Sequence, residues 1–200
     1  FRGVAIVLSP RFYQAWKSAG SPTPITTDTS GAFAGRFIGL PLKFDCRDHC
    51  QRKIKGKSLR ICLVSAYHPC HDIPHDGFNG VLTSLLHQIP HNSHVIMGAD
   101  INAKLGRRDC DEFRQILGPH GPRQQNTRGI NLISVYLSHG LRIENTFFAA
   151  PSHYTFTNIN DSDQTMIDIF ACSQQLHCRV KNCRICLLYT SDAADDLLCV

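Results

Sequence analysis

The chain has 200 residues, of which 42% are hydrophobic, which is enough for one packed domain or part of one. No run is long and apolar enough to cross a bilayer, so we expect no membrane partner. The net charge of +5 favours acidic partners such as nucleic acid only weakly. The chain opens on Phe1 without a signal-peptide pattern, and we therefore expect its start to be a cut within a longer protein.

Ten cysteines are irregularly spaced, and no second CxxC pair completes a four-ligand zinc site. Free thiols in a reducing compartment are the favoured interpretation. The cluster that most resembles a metal site consists of His68, Cys70, His71 and His75. They lie in a Pro-containing stretch without helical ligand spacing, so a loop is favoured and a metal site is the alternative.

The first third of the chain predicts two strands, a short helix and a loop. Gly3 to Ser9 is short and β-rich, which is typical of a strand, and Pro10 to Ala19 predicts a brief helical turn. Ser21 to Gly35 is rich in Ser, Thr, Pro and Gly and predicts a loop. From Phe37 to Phe44, apolar residues alternate with other residues, which predicts a half-buried strand. Pro41 within it indicates a sheet edge or a bulge.

A basic segment follows that strand and is expected to be a connection. It can be a solvated hairpin or a patch that faces phosphates, and the sequence leaves both open. Its basic residues are Arg47, Arg52, Lys53, Lys55, Lys57 and Arg60.

Two strands and a helix come next. Leu59 to Tyr67 is nearly apolar throughout, which predicts a central strand that places a phenol at the carboxyl edge of the sheet. Phe78 to Ile89 has apolar residues at i, i+3, i+4 and i+7, so a helix that packs on the core is predicted, with Pro90 just after its end.

An apolar run from Val95 ends in Asp100 and, two residues later, Asn102. It predicts a buried strand with both polar residues just past its carboxyl end. Residues two apart point the same way in an extended chain, so both side chains can face one small volume. The alternative is an Asx turn that closes the strand, with no catalytic role.

The remaining elements are short. Asp109 to Leu117 predicts a short helix that stops at Gly118, and Asn126 can cap a helix from Thr127 to His139. Asp168 lies between two isoleucines, either on a solvent-facing side of its strand or held for a purpose. Further strands are predicted at Leu141 to Thr146, His153 to Thr157 and Thr165 to Ala171. Strands interleaved with helices indicate a mixed α/β layered domain.

Residues 186–200 resemble the translation of a sequencing-library adaptor, with CLLYTSDAADD from Cys186 to Asp196 as the matching stretch. We therefore divide the chain into a partial domain at 1–185 and a non-native tail at 186–200, and we exclude the tail from the fold.

Five motifs in order carry a resemblance to a known family. They are Tyr67-His68-Pro69, Gly98-Ala99-Asp100-Ile101-Asn102-Ala103, Asn145-Thr146-Phe147-Phe148, Tyr154-Thr155-Phe156 and Met166-Ile167-Asp168. The chain resembles the endonuclease/exonuclease/phosphatase family, and within it the endonuclease domain of LINE-type (non-LTR) retrotransposon proteins. The resemblance covers nearly all of Gly3 to Ser173 and implies a four-layer α/β sandwich.

The chain also departs from the family pattern. Ala99 stands where the family usually has Gly, Ile101 where Phe is usual and Phe156 where Trp is common. The family's first two strands, which bring an Asn and a metal-binding Glu, would precede Phe1. Its last strand, Ser-Asp-His with the catalytic His, would follow the point where the tail begins. The resemblance therefore implies a truncated domain without a certain metal ligand.

The resemblance implies hydrolysis of a phosphodiester with Mg²⁺ or Mn²⁺. Asp100 would position and deprotonate water, Asn102 would donate to the phosphoryl oxygens and Tyr67 would hydrogen-bond the phosphate. Asp168 would orient the absent His. Supporting positions implied for the geometry of the site are Asn126, Asn145 and Thr155.

The implied partners are DNA and, in the full-length parent, a linked reverse transcriptase domain. An intact eukaryotic retroelement protein of this kind would be nuclear or intracellular. We expect the intact parent to nick DNA and this chain to be inactive, because a metal ligand and the His would both be missing. The alternatives are a phosphatase or repair nuclease of the same fold, or a domesticated binding module without catalysis.

Overall fold

The computed structural model describes residues 3–27, 32–48, 52–69, 75–108, 111–157 and 164–184. Its helices are α1 (Pro10–Ser18), α2 (His75–Gln88) and α3 (Thr127–Ser138), with short 3-10 helices at Glu144–Thr146 and Gln174–Arg179. Its strands are β1 (Phe37–Arg47), β2 (Lys53–Tyr67), β3 (His94–Asp100), β4 (Leu141–Ile143), β5 (Phe156–Thr157), β6 (Gln164–Thr165) and β7 (Asp168–Ser173).

One mixed five-stranded sheet organises the domain, in the order β1-β2-β3-β7-β4. β2 and β3 are parallel, with α2 as the crossover between them, so their carboxyl ends meet at the same edge of the sheet. The other three pairings are antiparallel, and β5 and β6 form a separate two-stranded sheet. The predicted mixed α/β layered class is confirmed.

The main core lies between the sheet and the layer formed by α2 and α3. The predicted stripe of α2 is buried there, with Leu85 fully inaccessible, and Tyr136 of α3 is also fully buried. A buried leucine side chain of this kind contributes about 1.5 to 3 kcal/mol to stability. These helices therefore hold one face of β2, β3 and β7 rigid.

A smaller core lies on the opposite face, where α1 packs on β1. It consists of Ala15, Leu40 and Leu42, and Phe12 meets Phe44 edge to face at 5.2 Å between ring centroids. The edge position predicted for the strand that contains Pro41 is confirmed, because β1 ends the sheet. Since α1 contacts β1, the carboxyl edge of β2 and β3 on this face remains open to a cleft.

The elements with strong local patterns are confirmed. β2 is interior to the sheet, β3 ends on Asp100, and α1 and α2 form where the sequence predicts them. Asn126 caps α3 because its Oδ1 accepts the Gly129 N–H at 2.9 Å. Gly140 follows that helix with φ +59°, the left-handed conformation that commonly ends a helix.

Two predictions near the start of the chain are wrong. Gly3 to Ser9 forms no strand, since it has no strand ladder with the described residues. Its Val4 N–H donates to Gly35 O at 2.9 Å. The basic segment is not a plain connection, because all three of its lysines lie within β2, which begins at Lys53. Its hairpin form is confirmed, since β1 and β2 pair antiparallel.

Three later predictions need correction. Residues 111–117 form turns instead of a helix, since Phe113 O accepts from both Ile116 and Leu117 and the segment is too short to propagate. The strand predicted from Leu141 ends at Ile143 and continues as a 3-10 helix. The strand predicted at His153 to Thr157 is reduced to Phe156–Thr157, and that at Thr165 to Ala171 divides into β6 and β7.

Several predictions fall outside the described residues. They concern Asp109, Cys70 and His71 of the cluster that resembles a metal site, and the tail at 186–200. His75, assigned to a loop by the sequence, begins α2. Cys46, Cys62, Cys172, Cys178 and Cys183 are free thiols. In the described part of the chain, every helix is too short or too polar to cross a membrane.

Candidate active site

Three of the predicted site residues form one row across three adjacent strands. Tyr67 of β2 is the register partner of Asp100 of β3, and Asp100 is the register partner of Asp168 of β7. The neighbour of each in its own strand is buried in the main core, so strand alternation places the row on the opposite face. Those buried neighbours are Ala66, Ala99 and Ile169.

The row lines an open cleft of about 470 Å³. Ser65 and Gly98 continue its floor along the sheet, and Gly3 and Val4 border it. Register partners in neighbouring antiparallel strands have Cα atoms about 4.5 to 5.5 Å apart, so the two carboxylates share one small volume. Tyr67, Asp100 and Asp168 therefore lie side by side at the cleft.

The turn after β3 has an Asx geometry. Asn102 adopts φ +42°, and its backbone N–H donates to Asp100 Oδ1 at 3.1 Å. Its side-chain Nδ2 donates to the His68 carbonyl at 2.6 Å, and the His68 N–H donates to the Asp100 carbonyl at 2.7 Å. The prediction of an extended chain here is wrong, because the left-handed residue turns the backbone after Asp100, and the Asn102 amide donates to the loop after β2.

The carboxylate pair has perturbed protonation. Burial raises the pKa of Asp100 to about 6, the Asn102 N–H lowers it and the negative charge of Asp168 raises it. Asp168 is the more exposed of the two, yet desolvation by neighbouring atoms also raises its pKa, while the Thr155 hydroxyl lowers it. Adjacent carboxylates with raised pKa values are typical of sites that move protons or hold cations.

Two of the predicted supporting residues hold β7. Thr155 Oγ1 accepts from the N–H groups of Ile167 at 2.9 Å and Asp168 at 3.0 Å. Asn145 Oδ1 accepts the Phe170 N–H at 2.6 Å, and its Nδ2 donates to the Asp168 carbonyl at 3.4 Å. Both side chains therefore fix the backbone that carries Asp168.

The third supporting residue, Asn126, contacts the turn after β3 from the other side. Its Oδ1 accepts from the Lys104 N–H at 3.2 Å as well as capping α3. The first turn of that helix supplies Arg128, whose Nη1 donates to the Asn102 carbonyl at 2.7 Å. Asn126 thus connects α3 to the segment that follows Asp100.

Sequence reasoning missed Arg36, which is 3% exposed and lies beneath the site. Its Cζ is 5.0 Å from the centroid of the Tyr67 ring, and its carbonyl accepts the Tyr67 N–H at 2.9 Å. Its Nε donates to the Ala32 carbonyl, while its Nη1 has no hydrogen-bond partner within the described residues. A cation stacked on the Tyr67 ring favours one position of that ring.

The cleft offers two carboxylates for a cation but no complete ligand set. Among the described residues, no group of three or more His, Cys, Asp or Glu side chains is close enough to hold a metal. Among the described residues, those that line the cleft include neither Glu nor His. A Mg²⁺ ion needs only one or two protein carboxylates when a substrate phosphate and water complete its shell, so Asp100 and Asp168 fit that cation.

No protein-family model and no curated protein matches the chain. Among solved structures, it is similar to the endonuclease domain of TRAS1, a telomere-specific non-LTR retrotransposon, at 17% identity with a TM-score of 0.45 over 72% of this chain and 52% of that one. It is also similar to the Xenopus laevis APE2 catalytic domain, at 17% identity with a TM-score of 0.47 over 72% of this chain and 47% of that one. The chain spans about half the length of each.

Proposed function

We propose that Tyr67, Asp100 and Asp168 belong to a metal-dependent site that hydrolyses phosphodiesters in DNA. We further propose that the intact parent is a DNA-nicking endonuclease of a retroelement, linked to a reverse transcriptase domain. The observation that carries the proposal is the register that puts a phenol and two carboxylates side by side at one cleft. Such a row offers a proton acceptor beside a hydrogen-bond donor for phosphate.

Asp100 acts as the general base. With a pKa of about 6, its carboxylate is mostly ionised at neutral pH yet basic enough to accept a proton. The oxygen of a bound water forms a bond to phosphorus while Asp100 takes the proton of that water. The bond from phosphorus to the leaving oxygen breaks, and that oxygen takes up a proton from solvent.

Tyr67 and Asn102 bind the phosphate. The phenol of Tyr67 donates to a non-bridging oxygen, and the Arg36 guanidinium stacked on its ring holds it in place. Asn102 Nδ2 carries two hydrogens, of which one binds the His68 carbonyl, and the second donates to a phosphoryl oxygen. Donors fixed before the substrate arrives stabilise charge that develops in the transition state.

Asp100 and Asp168 would hold Mg²⁺ or Mn²⁺ together with a Glu from outside the described residues. When bound, the cation polarises the phosphoryl group and lowers the pKa of bound water. Asp168 has a second role, since its carboxylate orients a His that the cleft lining does not contain. Because the described lining lacks both a Glu and a His, we expect this chain alone to nick DNA poorly or not at all.

The test compares supercoiled-plasmid nicking by the chain and by a version extended at both ends with its native sequence. We expect the extended protein to nick in Mg²⁺, with a rate that rises with pH through about 6 as Asp100 ionises. Asp100→Asn should lower that rate by about 10²- to 10⁴-fold, as expected for loss of a general base. Asp111→Asn, a matched change at an exposed acid, should leave the rate unchanged.

Other outcomes separate the alternatives. An Asp100→Asn protein that nicks at the Asp111→Asn rate would overturn the proposed chemistry. Release of phosphate from monoesters without nicking would indicate a phosphatase. DNA binding by the extended protein without hydrolysis would indicate a domesticated binding module. Efficient nicking by the 200-residue chain, lost in Asp100→Ala, would show that the chain is active alone.

A further inference from the structure

The positive charge of this protein is concentrated in one projecting ribbon. Residues 43–48 and 52–60, which we term the basic ribbon, contain seven Lys or Arg and two Asp, a balance of +5 that equals the net charge of the whole chain. β1 and β2 pair with each other along the ribbon. β2 pairs with β3 only from Ile61 onward, so the part that starts at Lys53 extends beyond the rest of the sheet.

Three of the positive charges on the ribbon have no ion-pair partner among the described residues. Lys53 Nζ lies 2.9 Å from Asp45 Oδ2, in a pair whose lysine side chain is 62% exposed. Lys55, Lys57 and Arg60 are exposed and make no ion pair with any other described residue. Each of these side chains is therefore a solvated cation that can bind an external anion at little cost in free energy.

The backbone of the ribbon is irregular where the lysines are densest. Asp45 pairs with Ser58 and Arg47 pairs with Lys53, so four residues of β2 lie opposite one residue of β1. Gly56 within this bulge has φ +75°. A β-bulge bends its strand and re-aims the side chains on it, and Lys55 and Lys57 both lie within this bulge.

Lysines on free strand edges also prevent edge-to-edge aggregation. That role explains cations on an exposed strand, but it does not require seven of them against two acids, since mutual repulsion of like charges destabilises the ribbon. A polyanionic partner removes that repulsion. The major groove of B-DNA admits a two-stranded β-ribbon, and a nucleic acid supplies a regular row of phosphates beside the groove.

We propose that the basic ribbon is a second DNA-binding surface, which contacts the phosphates of duplex DNA through Lys55, Lys57 and Arg60. It is separate from the cleft, because Lys57 precedes Tyr67 by ten residues in one strand, or about 33 Å at 3.3 Å per residue. Binding at the ribbon does not depend on the hydrolysis proposed for the cleft.

The experiment measures fluorescence anisotropy of a labelled duplex of about 30 base pairs with the full chain, in EDTA, over a series of salt concentrations. Without a divalent cation the readout is binding alone, so its result stands whether or not the nicking assay succeeds. The ribbon variant is Lys55→Gln, Lys57→Gln and Arg60→Gln together. The matched control removes the same charge from exposed sites elsewhere, Arg11→Gln, Arg114→Gln and Arg179→Gln.

The logarithm of the binding constant falls with the logarithm of salt by about 0.9 for each phosphate contact. We expect the ribbon variant to lose about 2.7 from that slope and to bind on the order of 10²-fold more weakly at 0.1 M salt, while the control keeps the slope of the unmodified chain. Equal losses in the two variants would overturn the proposal, because net charge alone would then explain binding. Binding of the chain to anionic phosphatidylserine vesicles, without binding to the duplex, would also overturn the proposal.

Discussion

Replacing Asp100 by Asn should stabilise the folded chain near neutral pH at the expense of its proposed chemistry. Folding raises the pKa of this carboxyl from 3.8 to about 6, so the folded state binds the proton more tightly than the unfolded state. The resulting contribution to stability is fully present below about pH 3.8 and is lost as the pH rises through about 6.

The size of the effect follows from the two pKa values. A tenfold change in proton affinity corresponds to about 1.4 kcal/mol, so the loss between low and neutral pH amounts to about 3 kcal/mol as an upper bound. Because Asp100 is half-buried, solvent screening reduces this to about 1 to 2 kcal/mol. The Asn side chain keeps an Oδ1 that accepts the Asn102 N–H, so the turn is preserved.

Urea unfolding followed by circular dichroism measures this directly. At about pH 7.5 we expect Asp100→Asn to raise the free energy of unfolding by about 1 to 2 kcal/mol, and near pH 4 by no more than about 0.5 kcal/mol. Asp111→Asn serves as the control at an exposed acid and should change little at either pH. A gain that is the same at both pH values, or a loss near neutrality, would refute the reasoning.

Three further substitutions test packing and hydrogen bonding. In Gly129→Ala the added Cβ would collide with the Lys104 carbonyl, so the free energy of unfolding should fall by about 3 kcal/mol. In Gly80→Ala, within α2, the added Cβ contacts no other atom, so the free energy of unfolding should rise by about 0.5 to 1 kcal/mol. A lower free energy of unfolding in both variants would contradict this reasoning. Thr155→Val removes the hydroxyl that lowers the pKa of Asp168, so NMR titration of that carboxyl should find a higher pKa, and an unchanged value would count against the contact.

The elements that the sequence predicted well are those whose signals are local. The apolar stripe of α2, the apolar run of β3 and the Asn126 cap of α3 each depend on residues within one or two turns of each other. The segments predicted less well depend on distant partners. Gly3 to Ser9 has the composition of a strand, but a strand also needs a neighbour with which to form a ladder.

The motifs of the sequence proposed residues for the candidate site but not their geometry. Tyr67, Asp100 and Asp168 were found through a resemblance of motifs, whereas their alignment in one row depends on which strands pair and in what register. The same residues are compatible with an Asx turn at Asn102 and with an extended chain. The hydrogen bond from the Asn102 side chain to the His68 carbonyl, which depends on the fold, favours the turn. Arg36 had no signal, because a single Arg before a strand becomes buried only when the fold brings it to Tyr67.

The contacts of Thr155 and Asn145 with β7 have a consequence for specificity of folding. A slip of β7 by one residue would exchange Asp168 for an isoleucine in the row and turn its carboxylate into the apolar core. Thr155 binds the N–H groups of residues 167 and 168, and Asn145 binds that of Phe170, so both side chains recognise β7 in one alignment only. The neutral side chains of Thr155 and Asn145, which lie outside the row, thus fix the register of β7, so that Asp168 and not an isoleucine lies beside Asp100.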